Sequence, residues 1–149
     1  MADFAGAKAA IRQRLVDGWA VTPITYQNET PEDWPPKDSD GLPAPFVNLE
    51  VIATRSEMRG AGKPGSQVWC DEGFVYVHVF VPTGQGDETA TQFAVQIGEV
   101  FRGAKFYDET PGHNVRTWAP RIDGGGSGDD DGNWFRVTMS VPFQYWHVG

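Results

Sequence analysis

Cysteine is all but missing from this chain of 149 residues: Cys70 stands alone. One thiol cannot close an internal disulfide or build a zinc site with other cysteines. It is compatible with a reducing compartment and says little more. Long apolar runs are missing too. No stretch approaches the ~20 residues of a membrane span, and the start MADFAGAKAAIRQRLVDGW lacks the apolar core of a secretory signal. The expectation is a cytosolic start and no membrane partner. Basic charge is scarce: 12 Lys and Arg stand against 20 Asp and Glu, a net of −8. Wrapping nucleic acid over the whole surface needs a basic stripe that displaces counterions, which an acidic chain does not supply. Negative charge suits solubility, and it suits a wall that DNA slides past.

Signatures of chemistry are broken where they occur. Residues 60–66, GAGKPGS, imitate a phosphate-binding loop, but Lys63 is followed by Pro64 and then by a strand instead of a helix. Residues 125–130, GGSGDD, match part of one calcium-binding nonapeptide. The same stretch imitates an EF-hand start at Ser127, Asp129 and Asp131, yet Thr138 stands where a bidentate Glu is required. Cys70 and His78 share one predicted strand eight residues apart, roughly 26 Å at the rise of a strand, so they form no nucleophile–base pair. No G-x-S-x-G elbow occurs. The expectation is no catalysis, no cofactor and no metal.

Aromatic residues, by contrast, are plentiful. Six Trp and nine Phe provide large apolar area for a core or for subunit contacts. Residues 3–18 have the period of an amphipathic helix, with Phe4, Ala7, Ile11 and Leu15 on one face. A short strand follows at 23–26. Residues 46–54 alternate, placing Val47, Leu49, Val51 and Ala53 together. Residues 67–81 are the strongest strand, with Val75, Val77, Val79 and Val81 alternating against Phe74, Tyr76, His78 and Phe80. The second helix is expected over 87–102, with Ala90, Phe93, Ala94, Ile97, Val100 and Phe101 on its core face. Of these, Phe93, Ile97 and Phe101 should be buried against strand 74–81. Strands at 115–122, interrupted by Pro120, and at 134–146 close the chain around a polar turn at 123–133. The fold class is α+β: a single domain over 1–149, a mixed, mostly antiparallel sheet with two packed helices, in the order α-β-β-β-α-β-β.

Two connections stand out. Residues 28–45 hold five prolines and carry Glu29, Glu32, Asp33, Asp38 and Asp40 against Lys37, a net of −4. A loop this long is usually functional or mobile; Trp34 in its middle either folds back on the body or meets a partner. Residues 55–66 read as a flexible hairpin loop whose Arg55, Arg59 and Lys63 outweigh Glu57 by +2. It is either a solvated tip or a basic arm for an acidic neighbour or passing DNA. Arg55, Arg59, Lys63, Trp34, Glu32 and Asp33 are therefore the candidate assembly residues.

Trp19 followed by TPITYQNE, then FVNLEV, a Gly-rich linker and GFVYVHVFVPTGQGDETATQFAVQIGEVF, resemble the tail terminator proteins of long-tailed, non-contractile phages and of phage-like gene transfer agents. The stretches concerned are 19–29, 46–51 and 73–101. In that family a strand ending Val-Pro-x-Gly-x-Gly runs into a helix whose core face ends near Phe. The stretch 123–133 has no match there. The resemblance implies a mixed sheet packed with helices and a homohexameric ring in the virion tail. It implies a tail tube protein and a neck or head-completion protein as partners, with DNA only as passing cargo. The ring would stop tube polymerisation and provide the surface that joins the head. Other readings stand beside it: a carbohydrate- or protein-binding virion module using Trp34, Trp118 or Trp146, a neck or head-completion protein, or a small hydrolase.

Overall fold

The computed structural model describes residues 2–129 and 131–149. Helix α1 (Phe4–Gly18) begins where the Asp3 carboxylate accepts a hydrogen bond from the Gly6 amide at 2.7 Å, satisfying one of the amides that a helix start leaves unpaired. Its residues at i, i+4 and i+8, Ala7, Ile11 and Leu15, are fully buried. Strand β1 (Ile24–Tyr26) pairs in parallel with the start of β2 (Phe46–Gly60), Thr25 beside Asn48. Parallel neighbours need a crossover connection, which is why the long loop 27–45 lies between them.

Three strands of 15 residues make the body: β2, β3 (Val68–Pro82) and the last strand, β8 (Trp134–Val148). They are antiparallel neighbours. Their register sets apolar rows across one face: Val47–Val79–Val137, Leu49–Val77–Met139 and Val51–Val75–Val141. Helix α2 (Glu88–Phe101) lies over these rows on β8 and β3. Ala90, Ala94, Ile97, Gly98 and Phe101 face them. Gly98 permits the close approach, since a Cβ there would meet the Pro120 side chain at 3.0 Å. The far edge of β8 is covered piecewise by β5 (Asn114–Thr117), β6 (Arg121–Ile122) and β7 (Gly126–Ser127), with β4 (Lys105–Phe106) outside β5. The sheet order is β1-β2-β3-β8-β5-β4. Both helices pack with the apolar rows, so the opposite face of β2, β3 and β8 is left without a helix.

The α+β class and both helices are as the sequence implies. Several details differ. The chain after α2 forms five strands instead of two, because the expected strand 115–122 breaks at Trp118, Ala119 and Pro120, while β4 and β7 are two-residue pairings too short to leave a periodic pattern. Residues 55–60 are strand, not hairpin loop: Arg55 pairs with Glu72, Ser56 with Asp71, Glu57 with Cys70 and Met58 with Trp69. Only 61–67 remain as the tip. Ala53 is exposed although it keeps register with Gly73, and the ladder bulges between Ala53 and Arg55. The bulge brings β2 so close to Gly73 that any Cβ there would collide with the Ile52 carbonyl oxygen. Phe93 is half-buried instead of buried; it packs at the rim of the core with its ring edge-on to Trp19, centroids 5.2 Å apart. It stands one step round the helix from the sheet-facing row, toward α1, where Arg14 Nε donates to the Val100 carbonyl at 2.7 Å. Ile97 and Phe101 are fully buried as expected.

Candidate assembly surfaces

The basic residues of the hairpin carry little unbalanced charge. Arg55 lies 2.6 Å from Glu57 and 3.9 Å from Glu72; Arg59 lies 2.5 Å from Glu57 and 2.7 Å from Glu72. Two cations and two carboxylates thus close a network over the β2–β3 ladder. The Glu57 hydrogen bond pushes the Arg55 pKa further up, and the same bond holds the Glu57 carboxyl below its usual value. Arg59 also lies over the Trp146 ring, 6.0 Å from its centre. Lys63 alone sits in the tip, exposed. The net +2 of this segment in sequence omits Glu72, which strand pairing delivers from β3.

The acidic loop is anchored. Trp34 meets Phe46 edge-on at 4.7 Å; Phe46 stacks on Phe80 at 4.8 Å and meets Trp134 at 5.1 Å. Beyond this aromatic cluster the chain makes a closed turn. Ala44 N donates to Pro36 O at 2.9 Å and Asp38 N to Leu42 O at 2.8 Å. The Asp38 carboxylate accepts from the amides of Asp40 and Leu42, each at 2.9 Å. Glu32 and Asp33 are exposed on the way into the loop.

Acidic side chains of 123–133 hold backbone. Asp123 accepts from the amides of Gly125 and Thr138, both at 3.0 Å. Asp129 accepts from Asn133 N at 2.9 Å and Trp134 N at 3.3 Å. Each is a turn stabilised by its own carboxylate. Asp130 lies outside the described residues. Among the described residues no three His, Cys, Asp or Glu side chains converge to hold a metal ion.

The titratable groups of the body are engaged in packing. His78 joins Thr138 Oγ1 at 2.8 Å and Glu50 Oε1 at 2.9 Å on the helix-free face. Burial raises the Cys70 thiol pKa and pushes the Tyr145 phenol up to about 12. An open groove of about 570 Å³ lies between α1, the end of α2 and Tyr107. Its charged lining residues are Arg14, Asp17, Glu99 and Glu109. Trp118 is 42% exposed, whereas Trp34 and Trp146 are half-buried. Exposed Leu42, Ile52 and Phe74, and the cations Lys105 and Arg116, escape a reading of the sequence. Only Leu42 carries a signal there, a lone large apolar residue between Gly41 and Pro43 in an acidic loop.

A mixed sheet with one face under two helices, one face bare and long anchored loops defines a structural module with surfaces to share. The family described as phage tail terminator protein matches the chain over residues 7–143, and the protein belongs to that family. It is a structural protein of the phage tail. A solved structure 20% identical to it superposes with a TM-score of 0.67 over 97% of this chain and 96% of the other, which shows the shared fold. None of the curated proteins matches the chain.

Proposed function

We propose that copies of this protein close a six-membered ring on the end of the tail tube, stop its polymerisation and offer the surface to which a neck or head-completion protein joins the head. Family membership over 7–143 carries the reading. The architecture supports it: three 15-residue strands form a stiff plate, and anchored loops extend from it as surfaces for different partners. The excess of acidic residues, net −8, suits a channel through which DNA passes as cargo without adhering. The particle is a long-tailed phage or a phage-like gene transfer agent. A carbohydrate platform has less support, because Trp34 packs on Phe46 and Trp146 lies under Arg59, so of the three tryptophans considered for it only Trp118 is exposed. The test is deletion of the gene followed by electron microscopy of the tails. Overlong, headless tubes are expected, with a six-fold ring at the tube end restored on complementation. Tubes of normal length joined to heads in its absence would overturn the reading.

A further inference from the structure

The helix-free face of the sheet contains an apolar slot. Ile52, Phe74 and Pro142 are register partners across β2, β3 and β8. Phe74, Pro142 and Trp118 line a cavity of about 250 Å³ with Thr54, Gln144 and Glu72, whose carboxylate is held by Arg59 and Gln144. Ile52, Phe74 and Trp118 keep 40%, 37% and 42% of their surface exposed. On the far side of Trp118 lies a second concavity, about 340 Å³, lined by Arg102, Lys105 and Arg116. Lys105 and Arg116 stand directly opposite each other in the β4–β5 ladder, a like-charge pairing that is unfavourable by itself. Among the described residues neither has a carboxylate within ion-pair distance. Arg116 lies 5.9 Å from the centre of the Trp118 ring. Such a surface calls for a ligand with an apolar tip and an acidic flank.

The chain itself carries one. The turn closed around Asp38 presents Leu42 at 60% exposure, with Asp40 exposed two residues before it. Its internal hydrogen bonds fix the turn in advance, so docking requires little further ordering. Within one molecule Leu42 does not fill the slot: it is exposed and is not among the lining residues. Trp34 pins the loop at Phe46, and the slot begins at Ile52, six residues further along β2, about 20 Å at the rise of a strand.

We infer that the turn at 37–43 of one copy seats Leu42 in the Phe74–Pro142–Trp118 slot of the next, with Asp40 facing Arg116 and Lys105. Two different patches of one chain meet, which is the heterologous contact that closes a ring when repeated by rotation. The contact rests on the ring reading and gives that ring its subunit interface.

Covalent trapping tests it. Leu42→Cys and Thr54→Cys are introduced together; the native Cys70 is buried. Oxidation of assembled tails should then yield a ladder of covalent multimers on a denaturing gel. In parallel, Leu42→Asp, at a site exposed to solvent, should lower the yield of ring-bearing tails at least tenfold while leaving the thermal midpoint of the isolated protein in place. Lys105→Glu with Arg116→Glu should do the same, and Asp40→Lys in that chain should recover part of the loss. Rings that persist with Leu42→Asp, or rings whose paired cysteines give only monomer, overturn the contact and leave the ring standing. Tube ends without any ring in the unmodified protein overturn the ring reading and the contact together.

Discussion

The two halves of β2 are held by different physics. From Phe46 to Val51 the strand alternates between the core and the open face, and Val47, Leu49 and Val51 lie beneath the helices. Burying each such side chain stabilises by about 1.5–3 kcal/mol. From Ile52 to Gly60 the same strand is mostly exposed, and Arg55 and Arg59 form ion pairs with Glu57 on the same strand and with Glu72 of β3. Exposed ion pairs contribute little and weaken in salt. The second half therefore keeps its form mainly through the backbone ladder to β3, which is in turn flanked by β8. One half anchors the fold, and the other is free to present a surface.

Substitutions under the helices should show the largest effects. Phe101 is fully buried and Phe93 is half-buried, so Phe101→Ala should cost about 3–5 kcal/mol and Phe93→Ala distinctly less. Urea denaturation of the two variants checks the order; equal losses would mean that α2 is rotated from the orientation described. At the boundary between the halves, Gly73→Ala forces a methyl group against the Ile52 carbonyl and should cost about 1–3 kcal/mol, the range for overpacking. An unchanged midpoint would show that the bulge absorbs a side chain without strain.

The third effect appears at high pH. Burial raises the Tyr145 phenol to about 12 from an ordinary value of 10.0. The unfolded chain loses this proton first, so stability is fully present below pH 10 and falls as pH rises from about 10 toward 12. Thermal melts across that range should show the decline, and Tyr145→Phe should flatten it. A slope identical in the variant would assign the decline to other groups. The smallest effect belongs to the exposed half. Glu57→Gln should leave the midpoint nearly unchanged in high salt, with any loss confined to low salt. A large, salt-independent loss would mean that the Arg55–Glu57–Arg59–Glu72 network organises the hairpin.

The buried half was legible in the sequence because a strand under a helix alternates with period two. Ile97 and Phe101 were legible for the same reason at period 3.6. Phe93 was expected to be buried and is half-buried, since periodicity places a residue on a face and does not say how much of it the neighbours cover. Residues 55–60 read as loop because a strand exposed on both faces has no hydrophobic period to detect. The network that neutralises Arg55 and Arg59 depends on Glu72, 17 residues beyond Arg55 in the chain, and only the register of β2 on β3 brings it there.

By itself, then, the sequence determined the α+β class, the two helices, the core rows and the likeness to a tail terminator, all of which follow from patterns within short windows of chain. The tertiary structure decided which face of the sheet stayed bare, which cations lack a carboxylate partner among the described residues, and that Leu42 and the slot beside Trp118 are both left exposed. Those properties depend on which strands become neighbours. Strand pairing joins residues distant in sequence through backbone hydrogen bonds that every residue except proline can make in full, so local composition carries little record of it.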